Sequence, residues 1–152
     1  MIVASNRAAS GVYQDETGPP IVAALRAWGF DTPDADVVPD GDPVGVALWA
    51  AVSEQVDVVL TTGGTGISPT DRTPEATERL IDRSVPGIAE AIRAHGIAKG
   101  VATAALSRGV AGVSGRTLVI NLPGSRGGVA DALEVLAEIV PHAVSQLGGA
   151  DH

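Results

Sequence analysis

Short runs of β-branched residues alternate along this chain with longer Ala- and Leu-rich stretches in which apolar residues recur every three or four positions. No other feature constrains the fold as strongly. β-branched runs suit the pleated surface of a strand, three-and-four spacing gives a helix one apolar face, and strand–helix–strand order makes the crossover of a parallel sheet. The expected fold class is α/β, a three-layer α/β/α sandwich with a mostly parallel sheet, built as one domain over residues 1–152. A domain of that length buries roughly 70 % of the surface its unfolded chain exposes, enough to fold without covalent staples.

Met1 to Ala4 reads as a first strand, followed by a polar loop from Asn6 to Thr17 and a helix from Gly18 to Trp28 that stops at Gly29. Ala35 to Val38 is a second strand. A helix from Pro43 to about Gln55 follows, burying Val44, Leu48, Ala51 and Val52. Val56 to Thr61 is the clearest central strand. Thr73-Pro74-Glu75 is a helix start, with Thr73 as N-cap and Pro74 at the first helical position. A further helix runs from Pro86 to about His95 and closes at Gly96. Val101 to Arg108 fits helix by its alanines and strand by its Val and Thr, and both remain open. Arg116 to Leu122 is a buried strand that pairs with Gly109 to Ser114 through a turn at Gly115. The last helix carries Val129, Leu133, Leu136, Val140, Val144 and Leu147 on one face, and Pro141 bends or restarts it. Four or five strands result.

Ligands of such sheets bind beyond the C-terminal ends of the strands, so the segments after the strands are the candidate site. The central strand runs straight into Thr62-Gly63-Gly64-Thr65-Gly66, then Ser68, Asp71 and a helix start. Free backbone N–H groups backed by a helix dipole suit a phosphate, whereas the plainer reading is a tight turn. The loop is neither a Walker A motif nor the GxGxxG dinucleotide fingerprint. Asp71 serves either as electrostatic support of the helix start or as a magnesium ligand. Asp40, in Val38-Pro39-Asp40-Gly41, fits an ordinary turn as well as a site. Two carboxylates at the ends of neighbouring parallel strands form a pair that can share one hydrated Mg²⁺ with substrate phosphates. Asn121-Leu122-Pro123-Gly124-Ser125 either closes around a ring or phosphate or simply terminates a strand. Ser107-Arg108 sets a hydroxyl and a cation beside a glycine.

Charge and composition exclude several classes. A net charge of −8 opposes a general nucleic-acid surface, and 3 % aromatic residues leave no stacking platform for single strands. An acidic chain that binds phosphates must do so locally, through backbone N–H groups, a divalent cation and a few placed arginines. With no cysteine and with His95, His142 and His152 scattered, a structural transition-metal site is not expected. Hydrolase chemistry lacks a GxSxG elbow or a thiol nucleophile. The apolar start is too short for a signal peptide or a membrane span, so a cytoplasmic protein without a membrane role is expected.

Thr61-Thr62-Gly63-Gly64-Thr65-Gly66, Asp71 with Thr73-Pro74-Glu75-Ala76-Thr77, Pro86-Gly87, Leu106-Ser107-Arg108 and Asn121-Leu122-Pro123-Gly124 together resemble the Mog/MoaB family of molybdenum cofactor biosynthesis. Ser5-Asn6-Arg7-Ala8-Ala9-Ser10-Gly11-Val12-Tyr13, with Asp15 and Gly18, is similar to the opening of the Mog branch. The resemblance implies a molybdopterin adenylyltransferase that uses Mg-ATP, adenylylates the terminal phosphate of molybdopterin and releases pyrophosphate. It implies catalytic, metal-holding roles for Asp40 and Asp71. It also implies a pterin and phosphate site at Thr62, Gly63, Gly64, Thr65, Gly66, Ser68, Ser107, Asn121, Pro123 and Gly124. A homotrimer and hand-over of product to a molybdenum insertase are implied as well. The alternative within the family is a MoaB-like protein that binds molybdopterin without efficient adenylylation; a nucleotide-processing domain of the competence-damage type shares the fold. Thr70 stands where the family commonly has Arg before the aspartate, and Arg126 where it often has Pro.

Overall fold

The computed structural model describes residues 1–149; His152, named above, lies outside them. The elements are β1 (Ile2–Ala4), α1 (Asn6–Ala9), α2 (Gly18–Ala27), β2 (Asp36–Val38), α3 (Asp42–Ser53), β3 (Val58–Thr62), α4 (Thr73–Glu78), β4 (Arg83–Ser84), α5 (Pro86–Ala98), a 3₁₀ turn (Ala102–Leu106), β5 (Ala111–Ser114), β6 (Thr117–Leu122) and α6 (Arg126–Leu147). They form one six-stranded sheet in the order β2-β1-β3-β6-β5-β4. β2, β1, β3 and β6 are parallel, and β5 and β4 are antiparallel to their neighbours.

Alternation along the central strands sorts the core into two layers. Leu60, Leu118, Ile120 and Leu122 face α2, α5 and α6, meeting Ile21, Leu25, Ile92, Val129 and Leu136. Val59 and Val119 face the other way with Ile2 and Ala4, against Val44 and Leu48 of α3. Each fully buried side chain of this size contributes about 1.5–3 kcal/mol, so β3 and β6 are the most firmly held strands. The loops at their C-terminal ends therefore leave a rigid base.

Several boundaries differ from expectation for local physical reasons. The polar loop after β1 begins with the single turn α1, whose N-cap Ser5 accepts a hydrogen bond from the Ala8 N–H at 3.2 Å. α5 runs through Gly96 instead of stopping there: Gly96 is buried, and a Cβ on it would come within 2.9 Å of Ala104 Cβ. That glycine serves close packing of the 3₁₀ turn, and the stop moves to Gly100 at φ +90°. Thr73 is not the cap of α4. Arg72 holds the cap position, Thr73 is the first helical residue, and its hydroxyl is buried without a partner. α6 continues through Pro141, and the hairpin at Gly115 (φ +59°) forms as expected. The two-residue β4 is too short to register as a pattern.

Candidate active site

The parallel strands β1, β2, β3 and β6 end together along one edge of the sheet, and the segments leaving them meet there. Asp40 follows β2, which β1 separates from β3, so the strands that lead to Asp40 and Asp71 are not neighbours as expected, and Asp40 is clasped by the turn after β1. Its Oδ2 accepts the Asn6 N–H at 3.0 Å, and Asn6 Oδ1 accepts the Asp40 N–H at 3.1 Å.

Gly63 and Gly64 leave β3 at φ +89° and +63°, a region that costs an L-residue about 1–2 kcal/mol. Space forbids a side chain as well. A Cβ on Gly63 would sit 2.2 Å from the Ala4 carbonyl oxygen. On Gly64 it would lie 2.4 Å from Thr73 Oγ1 and 3.3 Å from Asp40 Oδ1, and on Gly66 2.8 Å from Asp71 Oδ2. The glycine loop therefore lies between two carboxylates, Asp40 beside Gly64 and Asp71 beside Gly66. Asp71 Oδ2 also accepts the Ser68 N–H at 2.9 Å.

A cavity of about 430 Å³ opens beside this loop. Gly64, Thr65, Gly66, Asp71, Ser107, Pro123 and Gly124 line it, together with Ile92, Gly96, Val101 and Leu106 from α5 and the 3₁₀ segment. Thr62 and Gly63 lie behind that wall. Thr62 is buried and donates its hydroxyl to the Pro123 carbonyl at 2.6 Å, and both residues line a second cleft with Ser5, Arg7, Tyr13 and Arg126. Ser68 sits on the outer flank of the loop with Pro69 and Arg79.

Asn121 departs from the expectation that it lines the pocket. It is 2 % exposed, and its amide is spent inside the protein: Nδ2 donates to Thr61 Oγ1 at 3.0 Å and Thr77 Oγ1 at 2.9 Å, and Oδ1 accepts the Val110 N–H at 3.2 Å. It ties β6 to β3, α4 and the start of β5.

Arg108 carries more of the geometry than its neighbours in sequence suggest. Nε donates to the Gly66 carbonyl at 2.7 Å, Nη2 to the Asp71 carbonyl at 2.7 Å, and Nη1 to the Glu75 carboxylate. Its guanidinium holds the Glu75 carboxyl below the usual carboxylate range, helped by the backbone N–H of Glu75 itself, and Glu75 in turn raises Arg108. Behind it, Arg93 Nη1 donates to the carbonyls of Ser107 at 3.2 Å and Gly109 at 2.9 Å. Nothing in the spacing of the sequence ties Arg93 to this loop.

The family model described as "Probable molybdopterin binding domain" matches residues 1–142. The chain belongs to this molybdopterin-binding domain family. The molybdopterin adenylyltransferase of Helicobacter pylori (strain 26695) is 36 % identical over 153 residues, covering 98 % of this chain and 86 % of its own length. The molybdenum cofactor synthesis protein cinnamon of Drosophila melanogaster is 44 % identical over 140 residues, 89 % of this chain; the match spans 23 % of cinnamon. The solved molybdopterin biosynthesis Mog protein of Mycobacterium ulcerans superposes with a TM-score of 0.91 at 57 % identity, covering 96 % of this chain and 95 % of the other.

Two further features of this molybdopterin-binding domain are contacts that residue spacing does not give. Arg7 lies over the Tyr13 ring, 5.6 Å from its centroid, at the mouth of the second cleft. On the surface of α5 and α6, His95, Asp131 and Glu134 come together although they are 36 and 39 residues apart from His95 in sequence. Lys99 Nζ sits among them, donating to Asp131 at 2.9 Å and to the two Glu134 oxygens at 2.7 and 2.6 Å. A single ammonium group thus bridges the two carboxylates and offsets part of their charge. Among the described residues no helix is long and apolar enough to cross a membrane.

Proposed function

We propose that this chain is a molybdopterin adenylyltransferase, transferring AMP from ATP to the terminal phosphate of molybdopterin. The observation that carries this reading is a glycine loop flanked by Asp40 and Asp71, with the loop and Asp71 lining a largely apolar cavity. An oxygen of the molybdopterin phosphate attacks the α-phosphorus of ATP, forming a P–O–P link. The bond from the α-phosphorus to its β-bridging oxygen breaks, and pyrophosphate leaves with that electron pair.

The protein's part is to bring two polyanions together in line and hold them. The N–H groups of Gly64, Thr65 and Gly66 orient a phosphate against the bare glycine surface, while Ile92, Val101 and Leu106 offer an apolar wall for a ring. Ser107 and Pro123 close the same cavity. Thr62, Gly63 and Asn121 act from behind the wall as its supports, and Ser68 pins Asp71 through its N–H.

Asp40 and Asp71 would hold Mg²⁺. The donor set suits a hard cation: near Asp40 Oδ1, beside the bare Cα of Gly64, the Thr73 hydroxyl is buried without a partner. A bound magnesium ion supplies charge neutralisation for the phosphates, which an acidic protein of net charge −8 otherwise lacks.

A cytoplasmic homotrimer that passes its product to a molybdenum insertase completes the reading. Self-association is supported by Val46 and Trp49, 69 % and 63 % exposed on α3. Sedimentation distinguishes a trimer from a monomer. The activity is tested by pyrophosphate release from Mg-ATP with and without molybdopterin, in the parent and in Asp71→Asn. Release that requires molybdopterin and disappears in the variant is the expected result. Pterin binding without release would make the chain a binding protein of the MoaB kind.

A further inference from the structure

Residues 66–72, the larger part of the segment between β3 and α4, belong to no helix or strand, yet they carry Asp71. The middle of this stretch is closed by its own turn, in which the Asp71 N–H donates to the Ser68 carbonyl at 3.0 Å and the Ser68 N–H to Asp71 Oδ2 at 2.9 Å, while the carbonyls at its two ends are held from outside. Arg108 holds both: the same guanidinium takes the carbonyl of Gly66 and the carbonyl of Asp71, and its third arm reaches Glu75 on the first turn of α4. The Arg108 N–H adds a bond to the Thr65 carbonyl at 2.8 Å. A planar fork with five donors meets these three acceptors at once, which a lysine, a single charge on a flexible stem, does not.

The clamp is itself braced. Arg93 stands on α5, a helix packed into the core, and holds the carbonyls on either side of Arg108. A continuous path therefore runs from a rigid helix through Arg93 to the 107–109 turn, and through Arg108 to the backbone of Asp71.

We propose that Arg108 is a positioning residue for adenylyl transfer, setting the place of the Asp71 carboxylate by fixing the backbone of residues 66–72. This rests on the adenylyltransferase reading above. The guanidinium acts on main-chain oxygens, and its charge is already met by Glu75, so its part lies in geometry and not in contact with phosphate. Displacement of a catalytic group by about 1 Å can cost on the order of 10²-fold in rate.

The test compares the parent with Arg108→Lys and Arg108→Met, and with Arg83→Met as a control arginine on the edge strand β4. Pyrophosphate release gives kcat and the KM for ATP, and hydrogen exchange follows the amides of Ser68 and Asp71. Arg108→Met should lose about 10²-fold in kcat with KM for ATP changed less than about threefold, and Arg108→Lys should recover part of the loss. Exchange at Ser68 and Asp71 should quicken in both variants, leaving β3 and β6 protected. A folded Arg108→Met with parental kcat overturns the proposal. So does a loss of kcat with parental exchange at Ser68 and Asp71, or faster exchange spread evenly over the whole chain. If the parent itself releases no pyrophosphate, the adenylyltransferase reading falls. The clamp is then judged by exchange alone, and unchanged exchange in Arg108→Met refutes it.

Discussion

Replacing Asn121 by alanine removes one amide from a largely enclosed site, and the cost can be worked bond by bond. Thr61 and Thr77 are fully buried, and Asn121 nearly so. The half-buried Val110 N–H loses its side-chain acceptor, which costs about 1 kcal/mol, the low end for an unpaired donor. Thr61 and Thr77 each lose an incoming N–H, worth about 0.5–1.5 kcal/mol apiece. Thr77 keeps its own bond to the Thr73 carbonyl at 2.8 Å, so it is not orphaned. The sum is about 3 kcal/mol, and at about 2–4 °C per kcal/mol for a domain of this size the melting midpoint should fall by about 6–12 °C. Thermal unfolding by circular dichroism reads this, and urea unfolding should show a lower midpoint at an unchanged slope. Pterin affinity of the folded variant should change by less than about tenfold, because the amide does not reach the cavity. A melting point within about 2 °C of the parent, with pterin binding abolished, would refute the reasoning and make Asn121 a ligand contact.

Gly64→Ala should destabilise by about 2 kcal/mol, from the left-handed backbone and the approach to Thr73 Oγ1. Gly63→Ala should cost more, because its Cβ meets the backbone oxygen of Ala4, which cannot rotate away; the reverse order in urea midpoints would contradict the packing described. Glu75 contributes stability through Arg108, and because its folded pKa is lowered, that contribution is complete above the unfolded value of about 4.3 and is lost as pH falls through the lower folded value. Glu75→Gln should therefore be less stable than the parent at neutral pH, by a small margin given the exposure of the pair, and the gap should close in acid; a gap that persists there would remove the ion pair as its cause.

Much of the fold was legible because its signals are local and strong. The buried runs of β3 and β6, the turn at Gly115 and the apolar stripe of α6 each follow from residue type and period alone. The places of the glycine loop, Asp40 and Asp71 after strands and before helices were also legible, since a strand that runs into glycines and an aspartate before a helix are patterns within one segment. The errors arose where a residue answers to a distant neighbour. Gly96 reads as a helix stop and is instead a packing gap for Ala104, and Thr73 reads as a cap although the chain enters α4 one residue earlier.

By itself the sequence determined the layer order, the parallel core and the chemistry available at the strand ends, because period, turn residues and charge act over a few positions. Only the tertiary structure decided which of those groups face the cavity. Asn121 turns its amide into the core because Thr61, Thr77 and Val110, up to 60 residues away, offer the partners that burial demands. Arg108 reaches back 42 residues to Gly66 because the carbonyls of an irregular segment need donors that no neighbour in sequence supplies.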